Sequence, residues 1–237
     1  MARSAHDLQA DHVSGSGNAA PQGHPEGDRA QAGTGPSRGG APAAPAVLWQ
    51  NLAVLQQGID VIERFGVDPA HEALYALAPP GLVHHGAGSH FRHIHDLYLC
   101  FLRDVESGRV DYDRRERDER FEREPRHALR HLRQTFASLE RLGTGQPFSA
   151  SGRALELARS IEVKMDVEPH DREPFTLSTP LRELRFLLSH TIHHYALIAM
   201  ILKVQGFDCG AQFGVAPSTL RFWQQSPDCA PQAGSAE

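Results

Sequence analysis

Cysteine is scarce in this 237-residue chain. There are three, Cys100, Cys209 and Cys229, an odd number with no CxxC spacing. That usage argues against a disulfide framework and points to a reducing cytoplasm as the setting. Long apolar runs are missing too. The stretch "YALIAMIL" (residues 195–202) is eight residues long, where a membrane span needs roughly 20. No membrane association is therefore expected. Neither sign of charge dominates, since the net charge is −5 and the charged runs mix both signs, so no nucleic-acid partner is expected either. A P-loop and a dinucleotide glycine fingerprint are both absent, which leaves the commonest nucleotide-binding readings without support.

Large apolar side chains are almost absent from residues 1 to about 45, which are Gly, Ala, Pro, Ser and polar residues. Such a segment cannot offset chain entropy by burial, so residues 1–45 are expected to be a disordered head. It carries no apolar core of the kind a secretory signal needs, and its acidic residues fit a targeting presequence poorly. Residues 225–237 read as a disordered tail. Residues 46–224 remain as one domain, long enough for a sizeable core.

What is present is helical period. Leu48, Leu52, Leu55, Ile59 and Ile62 recur at three- and four-residue steps and predict a first helix over about 47–65, with Gly66 after it. A short helix follows at "DPAHEALYA", with Asp68 as cap and Pro69 at its first position. Ile94, Leu97, Phe101 and Val105 predict a second long helix from about 89 to 106. The link "RVDYDRRERDERFER" (109–123) mixes both charge signs and reads as a solvated segment; the alternative is that Arg114 or Arg117 reaches into a cavity to hold an anion by its planar fork. A third helix is expected over about 124–142, with Leu129, Leu132, Phe136 and Leu139 inward. "SIEVKMDV" and "PFTLST" then alternate like two short strands. Thr179 as cap and Pro180 after it open a fourth helix that runs to about Gln205. Beyond Gly206 the chain is read as irregular, with Phe213, Leu220, Phe222 and Trp223 available to pack back. The expected fold is all-α, a four-helix bundle with a small β-hairpin before the last long helix.

Histidine is the conspicuous residue, 15 in all, with two clusters on apolar helices: "GSHFRHIHDLY" (88–98) and "SHTIHHYALIAMIL" (189–202). His190 and His194 are four apart, so both rings project from one helix face and can chelate one metal ion. His193 lies about 100° around from His194 and faces elsewhere. A third histidine from the second helix completes a three-histidine set with open positions, as in catalytic zinc sites. His93 is the better placed for this and His90, one turn earlier, the next; His95 is read as facing solvent. Zinc, nickel, iron and manganese all accept imidazole, so a divalent metal ion is expected without its identity. The plainer alternative is a set of hydrogen-bonded core histidines. Cys100, seven residues after His93, is read as a small apolar filler. Tyr195, Asp96 and Arg114 are candidate supporting or substrate-contacting groups.

These two stretches, over roughly residues 47–223, resemble the DinB-like (YfiT-like) metalloprotein superfamily. The resemblance implies a four-helix bundle, often dimeric, holding one divalent metal with one histidine from the second helix and an HxxxH pair from the last long one. Carried onto this sequence, the pair is His190 and His194 and the third ligand His93, a one-turn shift choosing His90 instead. It further implies metal-dependent transfer or isomerisation with a low-molecular-weight thiol, or hydrolysis of another small-molecule substrate. A non-catalytic bundle in which the metal only staples helices, as a stress-related interaction or dimerisation module, is the alternative. The long head and the Arg-rich 111–126 segment depart from the family pattern.

Overall fold

The computed structural model describes residues 45–66, 68–81, 84–143, 155–165, 168 and 174–226. All of these belong to one compact unit. The chain is mostly helical with a small sheet. Its elements are α1 (Ala46–Phe65), α2 (Pro69–Ala76), α3 (Ala87–Asp104), β1 (Arg109–Asp111), α4 (Glu119–Arg123), α5 (Pro125–Gly143), β2 (Ile161–Lys164), β3 (Thr176–Ser178), α6 (Pro180–Val204) and α7 (Pro217–Gln225). The expected head, apart from Pro45, and the expected tail from residue 227 lie outside the described residues.

Four long helices carry the core. α1 packs on α5 and α6, and α3 packs on α6 and α5. Leu48, Leu52, Leu55, Ile59 and Ile62 of α1 are buried as their spacing predicts. On α5, Leu132 and Leu139 are fully buried, while Leu129 and Phe136 are only partly so. Each buried leucine contributes about 1.5–3 kcal/mol, against about 1 kcal/mol for a helix cap. The apolar faces therefore decide where the helices sit, and the caps decide where they start. Thr179 caps α6 by accepting from the Arg182 amide at 3.2 Å, and Asp68 caps α2 by accepting from the Ala70 amide at 2.8 Å. A buried polar tie crosses three helices. Asn51 of α1 donates to the Leu184 carbonyl of α6 at 3.0 Å and accepts from the Tyr98 hydroxyl of α3 at 2.6 Å. By length and composition α6 is also apolar enough to cross a membrane, a property that core helices share; here it packs against α1 and α3.

The expected hairpin is present as β2 and β3, antiparallel with Ile161 opposite Ser178. It has a neighbour the sequence reading did not foresee, because β1 pairs in parallel with β2, Val110 opposite Val163. The charged link is therefore not a solvated loop. Val110, Tyr112 and Phe121 are buried within it, and it folds into β1 and α4. α4 lies against α3 along a close seam. Gly88, in the first turn of α3, faces the Glu122 carbonyl so closely that a methyl group there would overlap it. The Tyr75 hydroxyl of α2 donates to the Phe121 carbonyl at 3.0 Å, and Arg92 pairs with Glu122 and with Asp96. The segment after α6 corrects another expectation, since it forms the short helix α7. Phe213 enters the core, but Phe222 is half exposed.

Candidate metal centre

Three imidazoles converge where α3 faces α6. His190 and His194 stand one turn apart on α6, and His93 comes across from α3. Their ligand-capable atoms all lie within 4.8 Å of one another, and all three residues are half-buried. Nε2 of His93 is 2.8 Å from Nε2 of His190. The ring centres of His93 and His194 are 4.7 Å apart, and those of His190 and His194 are 4.5 Å apart. Nitrogens that share one ion at about 2.1 Å sit about 3–4 Å from each other. The donor set is therefore of the right type and spacing for a divalent ion, and this cluster can hold one.

Two of the three rings, His93 and His194, are held neutral. Burial pushes His93 down to about 4, helped by the charges of His190 and Arg115. Burial likewise pushes His194 down to about 3, with His190 and His93 adding to it. Neutral imidazole is the form that ligates a metal. His90 supports the set from outside: its Nδ1 is 2.9 Å from Nδ1 of His194, and burial lowers its pKa as well. A ligating histidine ordinarily uses its second ring nitrogen in this way. His193 is exposed, with its ring centre 5.4 Å from that of His194, and lies outside the convergent three.

An arginine bears on the same site, though not one singled out from the sequence. Arg115 places a guanidinium nitrogen 3.3 Å from Nδ1 of His93. Arg114 is exposed, and its carbonyl accepts from Arg103; Arg117 is exposed with a left-handed φ of 55°. A guanidinium only donates, so Nδ1 of His93 accepts and the ring proton sits on Nε2. It is then His93 Nε2–H that donates to His190. A cation at that nitrogen requires the proton to move to Nδ1, and the Arg115 hydrogen bond must open.

The other candidates fall elsewhere. Asp96 is buried beneath Arg92, paired at 2.9 Å, with its carboxyl raised by that burial. Tyr195 is fully buried between Phe91 and Phe213 and belongs to the core. Cys100 is buried, its thiol pushed up to about 11 by burial, as suits a filler. His95 does not face solvent: it is 4 % exposed and stacks on Phe121 at 4.5 Å. Two residues after His93 it points roughly 200° around the helix, but that side of α3 is covered by α4 and α5.

A second group escaped the sequence reading. Asp118, His127 and His131 also bring ligand-capable atoms within 4.8 Å of one another. The signal was available, since His127 and His131 have the same four-residue spacing as His190 and His194. Compared with known proteins, the chain matches no family model, no curated protein and no solved structure.

Proposed function

We propose that this protein is a metal-dependent enzyme of the DinB-like kind, a four-helix bundle whose α1, α3, α5 and α6 carry one divalent ion on His93, His190 and His194. The convergence of those three rings from two helices carries the reading. Zinc, nickel, iron or manganese suits an all-imidazole set. Such an ion, with positions left open, lowers the pKa of a bound thiol or water and so supplies a nucleophile for transfer or hydrolysis. The chain's own residues do the rest. His90 holds the second nitrogen of His194 and fixes that ring. His93 passes its proton from Nε2 to Nδ1 when it ligates. Arg115 would then give up His93 and could turn its planar fork to an anionic group of the substrate. The substrate class this fits is a low-molecular-weight thiol bearing a carboxylate, acting in the cytoplasm, with the enzyme as a homodimer and neither nucleic acid nor membrane as partner.

The test is elemental analysis of protein purified without a histidine tag, comparing wild type with His93→Ala, His194→Ala and His90→Ala. Metal at the site that is lost in the first two and retained in His90→Ala supports the reading and justifies a thiol-transfer screen. Failure of the chain to retain zinc, nickel, iron or manganese at this site overturns it.

One observation favours a second reading, in which the metal only staples the helices. His90 lies against His194, so a fourth imidazole is at hand to close the coordination shell. Water-proton relaxation of the manganese-loaded protein separates the two: rapidly exchanging water on the ion favours catalysis, and none favours the staple.

A further inference from the structure

Asp118, His127 and His131 lie on the other side of α3 from the three-histidine cluster. Asp118 precedes α4, and its Oδ1 caps that helix by accepting from the Arg120 amide at 2.9 Å. Its Oδ2 accepts from Nε2 of His127 at 2.6 Å. His131 sits one turn further along α5, with its ring centre 4.3 Å from that of His127. No hydrogen bond to His131 occurs among the described residues; its neighbours are rings, those of His127, His95 and Phe121. The pairing of Asp118 with His127 accounts for two of the three residues and leaves His131 with ring contacts alone.

The polar line continues. Thr135, one turn after His131, is 2 % exposed, and its hydroxyl has no hydrogen-bond partner. Together with His95, His131, Gln134 and Ser138 it lines a groove of about 280 Å³ between α3 and α5. A buried, unsatisfied hydroxyl costs about 1–3 kcal/mol, so Thr135 is expensive at this place as mere packing. Two imidazoles and one carboxylate on one side, with the groove on the other, make up the two-histidine, one-carboxylate donor set of open divalent transition-metal sites.

We infer that Asp118, His127 and His131 form a second divalent transition-metal site, open toward the groove lined by Thr135. Arg130 donates to Nδ1 of His127 at 3.2 Å, which places the ring proton on Nε2. Loading therefore moves that proton to Nδ1 and releases the exposed Arg130 to solvent. One negative charge in the set makes it harder than the three-histidine cluster and tilts it toward iron(II), manganese(II) or cobalt(II).

The test uses the full chain, stripped of metal and titrated with cobalt(II), with bound metal counted by elemental analysis and ligation followed by visible absorption. The double variant His190→Ala/His194→Ala disables the first cluster. It is expected to keep one cobalt per chain, and adding His131→Gln or Asp118→Asn is expected to abolish it. Asn caps a helix as Asp does, so Asp118→Asn removes the charge without removing the cap, and circular dichroism confirms that each variant is folded. A folded double variant that takes up no cobalt overturns the inference. So does one whose cobalt survives both Asp118→Asn and His131→Gln. Because the first cluster is disabled throughout, its own failure to bind metal leaves this result unaffected.

Discussion

Two histidine pairs in this molecule share one spacing and meet different fates. His190 and His194 on α6 are met by a third imidazole from α3, and His127 and His131 on α5 by a carboxylate from the turn before α4. The first set offers only imidazoles, so an ion there would keep its full charge for acidifying a ligand; one at the second would give up one unit of it to Asp118. In both, an arginine donates to the far nitrogen of one ring, Arg115 to His93 and Arg130 to His127. The comparison teaches that a four-residue histidine step fixes only half of a site. The facing element decides its charge, and a nearby arginine decides how readily it loads.

The largest expected effect separates the two regions outright. His190→Ala and His194→Ala each remove metal from the first cluster and abolish activity, leaving cobalt at the second; His131→Gln does the reverse, as counted by elemental analysis and a turnover assay. His90→Ala, which spares the ligands, is expected to weaken metal binding at the first cluster by about 10–100-fold without changing the stoichiometry, as loss of a ligand's supporting partner commonly does; competition with a chromophoric chelator measures it. The arginines sharpen the comparison further. A hydrogen bond to a charged group contributes about 1.5–3 kcal/mol, so Arg115→Gln, at a half-buried position, raises metal affinity at the first cluster by about tenfold. Arg130→Gln, at an exposed position, raises that of the second by about twofold or less. Equal effects would mean that the arginines do not compete with the metal.

A separate effect is one of pH, in the metal-stripped chain. His93 is lowered to about 4, and His95 and His194 to about 3, in each case first by burial, whereas an unfolded histidine titrates near 6.5. Between these values the unfolded chain binds more protons than the folded one. Stability is therefore full above about pH 6.5 and falls as the pH drops toward 4 and below. Urea midpoints measured from pH 7.5 to 4.5 are expected to decline, and His95→Gln is expected to flatten part of that slope.

Much of the first region was legible in the sequence because its signal is periodic. The stripe Ile94, Leu97, Phe101 on α3 and the HxxxH step on α6 both survive in the structure, and His93 stands where the stripe placed it. The 109–123 link was not legible. A three-residue strand and a five-residue helix are too short to show a period, so Val110, Tyr112 and Phe121 disappeared among the charges. Two other positions, His95 and Arg115, depend on how that link folds. His95 points away from His93, and it is Phe121 of the link that covers it. Arg114 and Arg117 were preferred to Arg115, because which of the arginines turns inward depends on β1 pairing with β2. The His127 and His131 step was passed over because Arg126, Arg130 and Arg133 gave its helix the look of a surface. α7 was missed for the same reason of length.

Gly88 deserves a last word for what it does to distance. The hydrogen atom it presents where any other residue presents carbon lets the α4 backbone come flush against the first turn of α3. His90 and His93 lie within two turns of that point on one chain segment, and Asp118 lies four residues before Glu122 on the other. The gap between the two clusters is thus gauged at a spot holding no ligand and no charge. A single added methyl acts there as a shim, spreading both histidine clusters' supports at once while leaving every donor atom in the chain unchanged.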